Sequence, residues 1–163
     1  MRMLFLDLED TVITPAMEGW HLCELINIDK INAFIKKHQI EIVNIFSFAI
    51  HNQREKELFI KHNRSMIENA LGMKLFEIPT MDDNIIPACC REKGIHQSTL
   101  DFADVVSFWS KDLSFILFLK DKFKNNKHQH EIFFLDDAIV DMNFSFPNQN
   151  FNAQCFNIDE LKI

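Results

Sequence analysis

The chain has no tyrosine, only three glycines, and no apolar run approaching the ~20 residues of a membrane-spanning helix. That excludes a helical membrane protein. The apolar stretch at the N-terminus is short and is cut by Asp7, so it does not read as a secretory signal, and the expected location is cytoplasmic. CxxC spacing is also missing. Cys23, Cys89, Cys90 and Cys155 therefore do not suggest a structural zinc site. Adjacent Cys89 and Cys90 cannot form an unstrained mutual disulfide, and all four read as reduced thiols. Positive charge is in deficit: 17 Lys and Arg against 24 Asp and Glu give a formal net charge of −7. That argues against a broad nucleic-acid-binding surface, though not against a local basic patch. Neither an internal repeat nor a low-complexity linker interrupts the chain, so residues 1–163 read as one domain.

What is present is a core. Hydrophobic residues make up 47% of the 163, 17 of them Phe, and charged residues 25%, as in a globular domain. Apolar runs at 2–7, 41–48, 74–79, 131–137 and 153–158 read as strands. Between them, 29–39 reads as a helix with Asp29 as N-cap. Asn52 and Glu55 stand at capping-box spacing before a long amphipathic helix that Gly72 stops. Residues 98–109 and 112–123 read as two further helices, and 80–97 as irregular. Strands alternating with helices imply a parallel, Rossmann-like sheet with helices on both faces. Ligands of such sheets bind at the carboxyl ends of the strands.

Those ends carry acids. The first strand runs into DLEDT (7–11), and the 131–137 strand into FFLDDAIVD (133–141). If these two strands are neighbours, Asp7 and Asp136 converge, and two hard carboxylates at one point suit Mg²⁺ with a substrate phosphate. Singly, each residue has an ordinary reading. Asp7 could cap a helix or a turn, Ser47 could be a strand-end hydroxyl, and Lys111 a solvated helix-start lysine. His128 and His130 read as loop residues, as does His51. Arg91 and Lys93 beside Cys89 and Cys90 could lower a thiol pKa.

In order along the chain, DLEDT, NIFS (44–47), SKD (110–112) and FFLDDAIVD resemble the four motifs of haloacid dehalogenase-like (HAD) phosphohydrolases. The resemblance implies a HAD-like fold and a Mg²⁺-dependent phosphatase acting through an aspartyl-phosphate. Asp7 would be the nucleophile. Ser47, Thr11 and Lys111 would serve the substrate phosphate, and Lys111 would offset charge. Asp136 and Asp137 would hold Mg²⁺ beside Asp7 and the backbone carbonyl of Glu9. Glu9 stands where the family's phosphatases have the Asp that protonates the leaving group and then activates water. It is longer by one methylene, about 1.5 Å, and a ~1 Å misplacement can cost ~100-fold in rate. A catalytically impaired HAD-like binding or regulatory module therefore stays open, as does a nucleotidase using Trp20 to stack a base. Residues 8–28 leave room for a short flap, and 80–97 look spare, so the cap is minimal and the site open. The implied partner is a phosphorylated substrate, macromolecules included, with nucleic acid only as a phosphorylated end and no membrane.

Overall fold

The computed structural model describes residues 1–96, 110–145 and 149–162. Five strands form one sheet: β1 (Arg2–Leu6), β2 (Ile42–Ile45), β3 (His130–Asp136), β4 (Met142–Ser145) and β5 (Phe151–Asn157). Their order is β2-β1-β3-β5-β4. All neighbours run parallel except β4, which lies antiparallel on β5. The sheet is thus mixed and mostly parallel, where the sequence predicted a parallel one. Four-residue β4 was not anticipated, because its half-buried edge position needs no continuous apolar run.

Alternation along the buried strands feeds two cores. Leu4 and Leu6 of β1 and Phe133 and Leu135 of β3 face one side. There they meet Ile31 and Phe34 of α1 (Ile28–His38), Phe59 of α2 (Gln53–Phe59), and Ile67 and Leu71 of α3 (Ser65–Leu71). Met3, Phe5, Ile132 and Phe134 face the other side. They meet Cys89 and Cys90 of α4 (Ile86–Lys93) and Phe115 and Leu119 of α5 (Lys111–Phe123). Helices therefore cover both faces, an α/β arrangement consistent with a Rossmann-like fold. Among the described residues no helix is long and apolar enough to cross a membrane.

The long helix read over 53–71 is present. Asn52 accepts from the Glu55 amide (3.0 Å) to start it, and Gly72 ends it at φ 68°. A π turn at Ile60–Arg64 joins α2 to α3. Residues 81–93, expected to be irregular, are helical: a π turn (Met81–Ile85) leads into α4, and Thr80 caps it by accepting from the Asp83 amide (3.1 Å). Pro87 is tolerated because it lies in the first turn of α4. This helix packs in the core and is no cap. The expected 74–79 strand reduces to one bridge, Leu75 to Val43. Beyond it, Glu68 accepts from the Leu75 amide (2.7 Å) and Arg64 donates to the Leu75 carbonyl (2.9 Å), so side chains close that edge of the sheet. The helix expected at 98–109 lies outside the described residues.

Phenylalanines fill the second core. Phe134 stacks on Phe115 with ring centroids 4.4 Å apart and meets Phe46 edge-on at 5.5 Å. Phe134→Ala empties that space and is expected to cost about 3–5 kcal/mol, lowering Tm by roughly 10 °C. A thermal melt monitored by circular dichroism measures it, and a shift under about 3 °C contradicts the packing described.

Candidate functional site

Asp7 follows β1 directly, and its amide continues the pairing with β3 by donating to the Leu135 carbonyl (3.0 Å). Asp136 is the last residue of β3. Because β1 and β3 are adjacent and parallel, both carboxylates reach the carboxyl end of the sheet together. They are buried, at 3% and 0% exposure. Lys111 opens α5, and its ammonium lies between them, 2.7 Å from Asp7 Oδ1 and 2.6 Å from Asp136 Oδ2. It also sits over the Phe48 ring, 5.4 Å from the centroid. Thr11 donates to Asp7 Oδ2 (3.0 Å), so each Asp7 oxygen has one fixed partner.

Asp136 Oδ1 accepts from the Ala138 amide (2.7 Å). Its Oδ2 contacts Lys111 as an ion pair but has no aligned hydrogen-bond donor. Oxygens of Asp7, Asp136 and Asp137 lie within 4.8 Å of one another. A buried carboxylate oxygen without an aligned donor, among three hard ligands, fits a cation. The Glu9 carboxylate is not in this group. Its Oε2 accepts from the Ala16 amide (2.8 Å), seven residues along the loop. Ser47 is buried just beyond β2, and its Oγ accepts from the Ala49 amide (3.1 Å), which leaves its own proton to donate.

Sequence reasoning missed Asn157, at the end of β5. Its Nδ2 donates to the carbonyls of Asp137 (3.2 Å) and Ile139 (2.9 Å), and its amide donates to Asp141 Oδ1 (2.8 Å). Asn157 thereby shapes the whole acidic loop. The available signal was a polar residue at the carboxyl end of the last strand. Asp141 serves this loop.

Other candidates lie elsewhere. Trp20 is buried against Phe59 and donates to Glu55 (2.6 Å), so it presents no free face for stacking a base. Burial pushes the Cys89 thiol up to about 12, which leaves it unreactive, and all four cysteines are free. His130 sits at the opposite end of β3, packed on Phe123. Arg91, beside Cys89 and Cys90 in sequence, is paired with Asp121. A cleft of about 440 Å³ lined by Phe76, Glu77, Arg91, Phe118 and Lys122 lies apart from the carboxylates. Asp7 and Asp136 are themselves covered by the surrounding chain, and Lys111 between them is partly exposed. No protein-family model, curated protein or solved structure matches this chain.

Burial, with Asp136 nearby, outweighs Lys111 and Thr11 and raises Asp7 from its ordinary 3.8 to about 7. Burial and then Asp136 also raise Asp137. Burial works against the Lys111 charge, but Asp7 and Asp136 outweigh it and hold Lys111 above its usual range. Between pH ~4 and ~7 the folded protein thus holds a proton on Asp7 that the unfolded chain releases, so this group's stabilising contribution is lost as pH rises through that window. Asp7→Asn copies the protonated state. In metal-free buffer it is expected to match the wild type near pH 4 and to melt a few degrees higher at pH 8, since ~1 kcal/mol moves Tm by roughly 2–4 °C at this size. Equal melting at pH 8 argues against an unfavourable buried charge at Asp7.

Proposed function

We propose that the protein is a Mg²⁺-dependent phosphatase of the HAD-like class. One observation carries this reading: Lys111 bridges Asp7 and Asp136 at the carboxyl ends of adjacent parallel strands, with Asp137 beside them. The residue types, their order along the chain and their convergence all suit phosphoryl transfer, which depends chiefly on positioning and charge stabilisation.

Asp7 is the nucleophile. Thr11 and Lys111 hold its two oxygens and so fix the direction of the lone pairs that attack phosphorus. The Ser47 hydroxyl donates to a phosphoryl oxygen. Lys111 neutralises charge that accumulates as the Asp7–phosphorus bond forms and the ester bond breaks. Asp136 and Asp137, with Asp7 and the Glu9 carbonyl, are the groups to hold Mg²⁺. When bound, the ion supplies further neutralisation of phosphoryl charge. Burial of the carboxylates excludes bulk water, which strengthens each of these electrostatic contacts.

Phosphate release from p-nitrophenyl phosphate, with and without Mg²⁺, tests the reading. Wild type is expected to show Mg²⁺-dependent release. Asp7→Asn is expected to fall below about 1% of it while still unfolding cooperatively, since it lacks the nucleophile. Substantial release by pure Asp7→Asn removes Asp7 from the mechanism. Separately, Asp136→Asn should weaken Mg²⁺ binding by roughly tenfold or more in calorimetry, equivalent to ~1.4 kcal/mol. Unchanged affinity takes Asp136 out of the metal site.

A further inference from the structure

The segment after Asp7 is a small flap with several ties. Ile13 pairs with Leu8 and Asp10 through the backbone, and Asp10 takes a left-handed conformation (φ 62°) to allow it. The two arms of the flap meet where Thr14 bonds Glu24 (2.9 Å) and Ile26 bonds Val12 (2.9 Å). Trp20 pins the tip to the long helix. Its ring lies edge-on to Phe59, its Nε1 donates to Glu55, and its carbonyl accepts from buried Asn63 (3.2 Å) in the π turn. Gly19 makes the bend before Trp20 at φ 127°, where a Cβ would come within 2.6 Å of His21.

Glu9 supplies the tie at the base. Its carboxylate takes the Ala16 amide at 2.8 Å and lies close enough to Cys23 to add to the upward push that burial exerts on that thiol. Both partners belong to the flap. The carboxylate is thus turned toward the flap and is not one of the oxygens grouped at Asp7, Asp136 and Asp137. The extra methylene of Glu over Asp has a structural use here, since it carries the carboxylate out to Ala16. Among the described residues, the carboxyl group grouped with Asp7 and Asp136 is Asp137, one of the three that could hold a cation.

We propose that Glu9 is a positioning residue that anchors the flap, and that the enzyme acts on phosphoryl compounds whose leaving group departs as an anion without being protonated. This rests on the phosphatase reading above. In the first step the Asp7 carboxylate oxygen bonds to phosphorus, the bond from phosphorus to the leaving oxygen breaks, and that oxygen keeps the electron pair. In the second, water attacks phosphorus, the Asp7–phosphorus bond breaks, the carboxylate recovers its pair, and the water proton passes to solvent. Aryl phosphates, acyl phosphates and phosphoanhydrides meet this requirement. Alkyl phosphates, whose alkoxide needs a proton, do not.

The test is a series of aryl phosphates of graded leaving-group pKa, with glycerol 2-phosphate as the alkyl member, assayed on the full chain with Mg²⁺. The expected result is that kcat/KM falls roughly threefold or more per unit of leaving-group pKa, with the alkyl phosphate at least ~1,000-fold below p-nitrophenyl phosphate. A flat series, or alkyl turnover within about tenfold of aryl, overturns the proposal. Glu9→Ala should raise KM for the aryl substrates, and Glu9→Gln, which keeps an acceptor for Ala16, should restore it. If instead Glu9→Gln is as impaired as Glu9→Ala, and most so on poor leaving groups, Glu9 is the proton donor. Amide hydrogen exchange gives a readout free of activity. Ala16 should be protected in wild type and Glu9→Gln, and should exchange at least ~10-fold faster in Glu9→Ala. Equal protection in all three removes the anchor. If no aryl phosphate yields Mg²⁺-dependent phosphate, the phosphatase reading and the substrate class fall together, and the Ala16 amide alone decides the role of Glu9.

Discussion

The contact on which the site depends is the ammonium of Lys111 between two buried carboxylates. Two such carboxylates at the ends of adjacent strands repel in a medium that screens poorly. Lys111 turns that repulsion into two short ion pairs. Its placement runs against local preference, because a cation at the first residue of a helix meets the positive end of the helix dipole. Asp7 and Asp136 more than offset this. Removing the lysine would leave two buried carboxylates without a countercharge, with only Thr11 and the Ala138 amide still donating to them, which is costlier than the pair is stabilising. Strand pairing between β1 and β3 brings the acids together, and α5 delivers the base that makes their proximity tolerable.

The rest of the fold supports this strained centre. Phe5, Phe46, Phe115 and Phe134 interlock beneath one side of it, and Leu6, Ile45 and Leu135 lie beneath the other. Leu6, Phe46 and Leu135 immediately precede Asp7, Ser47 and Asp136, so the walls of the site are the tops of the two cores. Close packing below keeps the Asp7 and Asp136 carboxylates aimed at a common point.

Much of this was legible in the sequence. Apolar runs that meet acids at Asp7 and Asp136 mark strand ends, and acids there conflict with ordinary packing, which is why they draw attention. The Asn52 to Gly72 helix was legible because its start and stop signals are local. What was hidden depends on distant partners. Glu9 reads as an acid beside a nucleophile, and nothing local says that Ala16 takes its carboxylate. Asn157 reads as one asparagine among many, yet it bonds both Asp137 and Ile139 across a strand. Helix 81–93 was missed because Pro87 and three polar residues in succession (Asp82, Asp83, Asn84) look like loop chemistry, while Met81 and Ile85 are buried by contacts that only the assembled layer provides.

Asn157 also gives the protein an order of assembly. Asp7 precedes its ammonium partner by 104 residues, roughly five to twenty seconds at typical rates of synthesis. The strand that ties down the acidic loop comes later still. An emerging chain therefore carries Asp7 at the end of a strand that lacks its central neighbour, with no ammonium beside it and no shaped loop facing it. The cluster of Asp7, Asp136 and Lys111 is therefore complete only once the fold has closed.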